Sequence, residues 1–193
     1  VVIAALRSGT ADLHRRVERQ LEFLVRAPQL EAYVGVLRGF FGYYPAIEDE
    51  LAALAGCLPP ALGLEARRKS GHLARDLIAL GADESALREV PRCPETPSLL
   101  DPARALGCMY VLEGATLGGR IIARVTGPSL GLDASRGGSF FHSYGEHVDA
   151  MWASFLGVLD ATCADAGSID GAVGAARETF ATLGRWLERG PLP

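Results

Sequence analysis

The residues able to do chemistry are few, and His14 is the first of them. Four histidines occur, His14, His72, His142 and His147, and His14 is followed one helical turn later by Glu18. An i, i+4 pair places both side chains on one face of a helix. A metal-ligating imidazole commonly hands its second ring N–H to a carboxylate or carbonyl, which fixes its tautomer. The pair reads either as a metal ligand with its orienting carboxylate or as an incidental couple on a solvated face. Arg7 lies seven residues before His14, about 10 Å along the same helix face. It could meet the acidic edge of a ligand whose centre is held by His14, or it could simply be solvated.

The second unusual stretch is Leu112-Glu113-Gly114-Ala115-Thr116-Leu117-Gly118-Gly119-Arg120. Each glycine inside a helix costs about 1 kcal/mol relative to alanine, so Gly114, Gly118 and Gly119 need an offset. Close packing of another helix is one. The close approach of a flat ligand to bare backbone, with a kink at Gly118-Gly119, is the other. Further constellations are weak. Gly-x-Ser-x-Gly, a Walker A loop and His-Glu-x-x-His do not occur. Glu146, His147 and Asp149 lack the paired Glu-x-x-His motifs of a carboxylate-bridged di-iron bundle. Glu48, Asp49 and Glu50 read as a solvated face, and Phe140, Phe141 and Tyr144 as core or as a cofactor wall.

The apolar spacing that must position these residues is helical nearly throughout, and strand signals are weak. Leu6, Leu13, Val17, Leu21 and Leu24 form one stripe of a first helix from about Val2 to Leu24, broken at Pro28. A second helix is expected from Leu30 to Ala55, kinked or divided at Pro45. A third covers Glu65 to Ala79, and a proline-rich loop covers Val90 to Pro97. A fourth helix starts with the Asp101-Pro102 cap pair and ends near Val125, before a loop marked by Gly127-Pro128. A fifth runs from Ser143 to Ala164 and a last from Ile169 to Leu187. The expected architecture is all-α, a multi-helix bundle forming a single domain over 1–193.

Composition excludes several classes. The 193 residues are 49% hydrophobic and 22% charged, with a net charge of -4, so disorder and a general affinity for nucleic acid or anionic membrane are not expected. No run of 18 apolar residues free of charge predicts a membrane span. The N-terminal stretch carries charges of both signs and lacks the apolar core of a signal peptide. Cys57, Cys93, Cys108 and Cys163 show no Cys-x-x-Cys spacing, so free thiols and a cytoplasmic location are expected. Only Lys69 among the 19 cations is a lysine, so a cationic anchor for a carboxylate would be an arginine, whose planar fork suits it.

Together these pieces resemble the haem oxygenase family. Leu6 to His14 followed by Glu18 is similar to that family's proximal helix, and Tyr110 to Arg120 resembles its glycine-rich distal helix. The Tyr-Val-Leu-Glu-Gly-x-Thr-Leu-Gly-Gly form, with Phe140-Phe141-His142-Ser143-Tyr144-Gly145 before a Met-Trp-containing helix, is closest to the bacterial branch that accompanies bacteriophytochromes. The resemblance implies that His14 ligates haem iron, that Glu18 is its hydrogen-bonding neighbour, and that Gly114, Gly118 and Gly119 are the distal glycines. It implies further that Arg7 faces a haem propionate and that Tyr44 stands behind the distal pocket. One departure matters. Many members place an aspartate directly after the first distal glycine, where it orders water, and here that position is Ala115. Backbone groups, Thr116 or other waters would have to serve the proton route instead. The implied reaction is O2-dependent opening of haem to biliverdin, CO and ferrous iron. Haem would be both cofactor and substrate, a reductase or ferredoxin-type protein the electron donor, and a bacteriophytochrome an acceptor of the product. Ala115 also favours a rival, a non-catalytic haem-binding or haem-transfer protein of the same fold. A thiamin-degrading or di-iron enzyme of that fold would need a cysteine nucleophile or carboxylate clusters that are not evident.

Overall fold

The computed structural model describes residues 1–189. Its elements are α1 (Val2–Leu21), α2 (Phe23–Arg26), α3 (Leu30–Ala53), α4 (Ser70–Ala79), α5 (Glu84–Glu89), α6 (Pro102–Leu130), α7 (Ser139–His142), α8 (Val148–Thr162) and α9 (Ala166–Arg189), with 3-10 turns at 55–57, 60–62, 64–67 and 145–147. Among the described residues no strand forms, and Asp133 makes only isolated bridges to Arg136 and Gly137. The all-α expectation is met. Buried side chains from Val2 to Leu187 belong to one connected core. No described helix is long and apolar enough to cross a membrane.

α9 is the base on which the site-bearing helices close. Small residues make up much of its buried side, with Ala172, Ala175, Ala176, Thr179 and Gly184 shielded from solvent alongside Phe180, Leu183 and Leu187. Both α1 and α6 therefore lie directly against it. At Gly107 of α6 a Cβ would run into the main chain of Ala172. Gly9 of α1 likewise receives Val173, and Arg177 of α9 donates to the Gly9 carbonyl. Helices that meet this closely gain dispersion contacts along their backbones and hold one another in a fixed relative position.

Several boundaries differ from the sequence expectation, mostly for tertiary reasons. Pro45 does not divide α3, because buried Tyr43, Tyr44 and Ile47 on either side of it pack into the core and hold the helix together. The expected helix at Glu65 becomes a 3-10 turn, and α4 starts only at Ser70. Glu48 of α3 causes this break. Its buried carboxylate accepts from the Lys69 and Ser70 backbone N–H groups at 2.5 and 3.0 Å and from the Ser70 hydroxyl at 2.5 Å. Glu48 is therefore a cap supplied from another helix rather than part of a solvated face. Asp76 acts similarly. It accepts from Ser139 N and Phe140 N at 2.8 and 2.7 Å and starts the short α7. The expected fifth helix is thereby delayed to Val148, after a break at Ser143, whose φ is 48°. α6 continues through Gly127-Pro128, since the lost Pro128 N–H leaves only the carbonyl of exposed Arg124 unpaired near the helix end. It stops at Gly131, left-handed at φ 69°. α5, capped by Asp83 accepting from Ala86 N at 2.8 Å, was not expected from the periodicity.

The closeness of α6 to α9 gives a direct test. Gly107→Ala should destabilise the protein by about 1–3 kcal/mol through overpacking, read as a lower midpoint in urea. An unchanged midpoint would mean that the two backbones do not meet there.

Candidate functional site

α1 carries His14 in its middle, and the chain reaches α6 on both sides of that residue. Before it, the Arg7 guanidinium stands beside the Tyr110 hydroxyl; burial raises the Tyr110 pKa and Arg7 offsets part of the rise. After it, α2 packs on α6. The flanks of the His14 segment, Arg7 and α2, thus both lie beside α6. The His14 side chain is 56% exposed, and its Nε2 lies 3.5 Å from Glu18 Oε1. So exposed a contact contributes little to stability, and the imidazole remains accessible. Its ring leans on Phe180 of α9, with centroids 5.4 Å apart.

The glycines of α6 divide by face. Gly118 is exposed, and a Cβ there would meet nothing within 4 Å. Gly114 would bring a Cβ only to ordinary contact, 3.9 Å from the Trp152 ring. Ala115 between them is exposed, and Ile121 further along is 59% exposed. Gly119 is different. It is buried, and a Cβ would come within 3.2 Å of the Phe141 carbonyl oxygen. Of the two offsets, close packing holds at Gly119, where it lets α7 approach, whereas nothing among the described residues fills the space in front of Gly118.

Thr116, offered from sequence for the proton route, does not face the exposed strip, and Tyr44 stands behind α6, where the resemblance puts it. Thr116 is buried, and its hydroxyl donates to the Glu113 carbonyl at 2.6 Å. It is committed to its own helix and turned from the exposed strip. Tyr44 is likewise buried, edge-on to Phe40 and Phe140, and burial raises its pKa. It lines a cavity of about 20 Å³ behind α6, together with Glu48, Arg67 and Glu113. A space of that size holds one water. Phe140 and Phe141 belong to the core.

Sequence reasoning missed three features. Tyr110 sits one turn before Gly114, a spacing that could have flagged it. Trp152 of α8 stands near the Tyr110 ring, 5.8 Å between centroids, and closes that end of the strip. Arg67, Lys69, Glu113 and Tyr144 form a buried polar cluster behind α6, for which no local motif gives a signal. Arg67 Nη1 donates to Glu113 Oε2 at 2.5 Å and the Tyr144 hydroxyl to Glu113 Oε1 at 2.8 Å. The Lys69 ammonium lies 3.2 Å from the Tyr144 ring centroid. Among the described residues it has no hydrogen-bond partner, and burial lowers its pKa to about 8. Among the described residues no group of three or more His, Cys, Asp or Glu side chains could hold a metal ion. All four cysteines are free.

Both the sequence and the fold have known relatives. Residues 2–189 match the protein family described as "Heme oxygenase". A heme oxygenase of Xanthomonas campestris pv. campestris (strain 8004) is 30% identical over 160 residues, covering 78% of this chain and 86% of that protein. The NO- and CO-bound heme oxygenase of Neisseria meningitidis superposes with a TM-score of 0.75 over 100% of this chain and 96% of its own, at 19% identity. The heme oxygenase of Leptospira interrogans gives 0.73 over 96% and 98%, at 17% identity. These two structures share the fold.

Two measurements follow from the placements. Gly118→Ala should leave the ligand-free protein as stable as before or up to about 1 kcal/mol more stable, while Gly119→Ala should destabilise it. Equal losses would show that the Gly118 face is packed. For Lys69, the unfolded chain keeps its proton up to about pH 10.4, whereas the folded chain releases it near 8. Between those values the unfolded state binds more protons, so this residue's contribution to stability rises with pH and its cost is greatest below pH 8. Lys69→Met should therefore raise Tm at pH 7, with the advantage shrinking towards pH 10. A gap that is constant across that range would contradict the assignment.

Proposed function

The chain belongs to the haem oxygenase family, and from that premise we propose that it binds haem between His14 and the bare face of α6 and opens the ring to biliverdin, CO and ferrous iron. The observation that carries the placement is the open strip at Gly114, Ala115 and Gly118. Glycine is costly in a helix, and protein packing accounts for Gly119 but not for Gly118. A flat macrocycle lying against bare backbone gives that cost a purpose. Haem, consumed as the substrate, supplies the iron at which O2 and electrons meet.

The chain's own residues then have separable tasks. His14 would ligate the iron. Ligation through Nε2 turns that edge from Glu18 towards the metal and leaves Nδ1 as the hydrogen-bonding nitrogen. Arg7, with Tyr110 beside it, supplies cationic and hydroxyl donors at one end of the strip, suited to a propionate. Gly114 and Gly118 admit the ring plane, and Trp152 and Phe180 add aromatic walls. Gly119 acts at one remove, by letting α7 hold α6 in place. Tyr44 serves from behind the helix. The proton route cannot use an aspartate at position 115, and the Thr116 hydroxyl is bonded internally. Backbone N–H groups and ordered water are left to donate.

Electrons would come from a reductase or ferredoxin-type donor. The motif Tyr110 to Gly119 supports a place in the bacteriophytochrome-associated branch, with such a photoreceptor taking the biliverdin. A second reading, a haem-binding or haem-transfer protein without turnover, is favoured by the methyl group of Ala115 on the exposed strip.

Hemin titration followed by ascorbate or a reductase in air separates the readings. A Soret band that forms and then gives way to biliverdin, identified by chromatography, is the expected result. A Soret band stable through many hours of reduction would leave the binder, and no Soret change would remove both. His14→Ala should abolish turnover, with partial recovery on adding imidazole. Unchanged turnover would exclude His14 as the ligand.

A further inference from the structure

We infer that Arg67 and Glu113 are positioning residues for the bare face of α6, locking it and Trp152 into one rigid wall against which the macrocycle seats. This rests on the reading that the Gly114–Gly118 strip is where haem lies.

Arg67 gathers three segments with one guanidinium. Its Nε donates to the Leu62 carbonyl at 2.6 Å, and its Nη1 donates to Glu113 Oε2 at 2.5 Å and to the Met151 carbonyl at 3.2 Å. Its side chain is 3% exposed and that of Glu113 2%. Glu113 directly precedes Gly114, and Met151 directly precedes Trp152, the residue whose ring stands against Gly114. The guanidinium thus ties α6, through the Glu113 carboxylate, and the α8 backbone at Met151 to one point. Tyr144 donates to the remaining Glu113 oxygen at 2.8 Å and leaves the carboxylate little freedom to turn.

Stability alone does not account for the pair. Removing two charges from water costs several kcal/mol each, and apolar side chains of similar volume are often equally or more stabilising. A buried pair does fix geometry, because the fork is directional and an unpaired member is heavily penalised. A helix with three glycines in six residues is soft where it must present a surface. The anchor lies at the edge of that soft stretch, on the face away from the exposed strip, where it can fix the helix without occupying the site.

The test uses the Arg67→Met/Glu113→Leu double variant, with Arg67→Lys as a second variant that keeps the charge but loses the fork. Amide hydrogen exchange is read on the ligand-free proteins, and the proportion of biliverdin isomers is read after turnover. The double variant should have a Tm at or above that of the parent. Its amides at 113–120 should exchange about tenfold faster relative to those of α3 and α9, and the isomer proportions should change. Arg67→Lys should move both readouts in the same direction by less, and it decides the matter if the double variant fails to fold. Exchange at 113–120 unchanged in a folded variant overturns the inference. So does faster exchange with isomer proportions identical to the parent's, since the pair would then be structural only. If the parent itself takes up no hemin, the haem reading fails, and the exchange result still decides whether Arg67 and Glu113 hold this helix.

Discussion

One helix, α6, must satisfy two opposite demands, and the rest of the molecule is arranged around that constraint. It packs at backbone distance on α9 and α7, at Gly107 and Gly119, and under the proposed function it has to stay bare at Gly114, Ala115 and Gly118. Glycine serves both demands, but it removes the intrinsic helical stability that would hold such an element on its own. The rigidity comes from outside: the alanine-rich side of α9, the aromatic core around Phe140 and Phe141, and the buried Arg67–Glu113 contact. α6 is held firmly on its buried sides, which is what leaves one side free.

The helix that bears His14 is built more simply. α1 is anchored by small contacts, Gly9 on Val173 and Val17 near Gly184, and by Arg177 donating to the Gly9 carbonyl. His14 projects from this fixed rod without being drawn into the core, its only near neighbours of note being Glu18 and the Phe180 ring. The proposed ligand role needs a defined backbone and an accessible imidazole, and His14 stands at the edge of the face on which α1 buries Leu6, Thr10 and Val17.

Much of this was legible in the amino-acid order, and the rest was hidden for definable reasons. The helical periodicity, the Asp101-Pro102 cap, the His14–Glu18 spacing and the glycine cluster are local patterns, and local patterns survive into the fold. What stayed hidden depends on contacts between distant residues. Nothing near Glu48 in sequence says that it will cap α4, and nothing near Asp76 says that it will start α7. Nothing near Arg67 says that it will be buried against Glu113, 46 residues on. The same limit separated Thr116 from Gly118. Both lie in one motif, but a rotation of two residues around the helix puts one in the core and the other in the open.

The nearly complete replacement of lysine by arginine has a consequence for the protein's charge. The single ammonium, Lys69, is enclosed, so the exposed positive side chains are guanidinium groups, with histidines the only other basic side chains. Guanidinium does not lose its proton under any condition a folded protein meets. Alkalinity therefore cannot discharge these side chains on a protein whose net charge is -4; dissolved salt can screen them. Reagents that acylate amines would find little to react with on the side chains of the native molecule, whereas dicarbonyl reagents selective for arginine would find many targets.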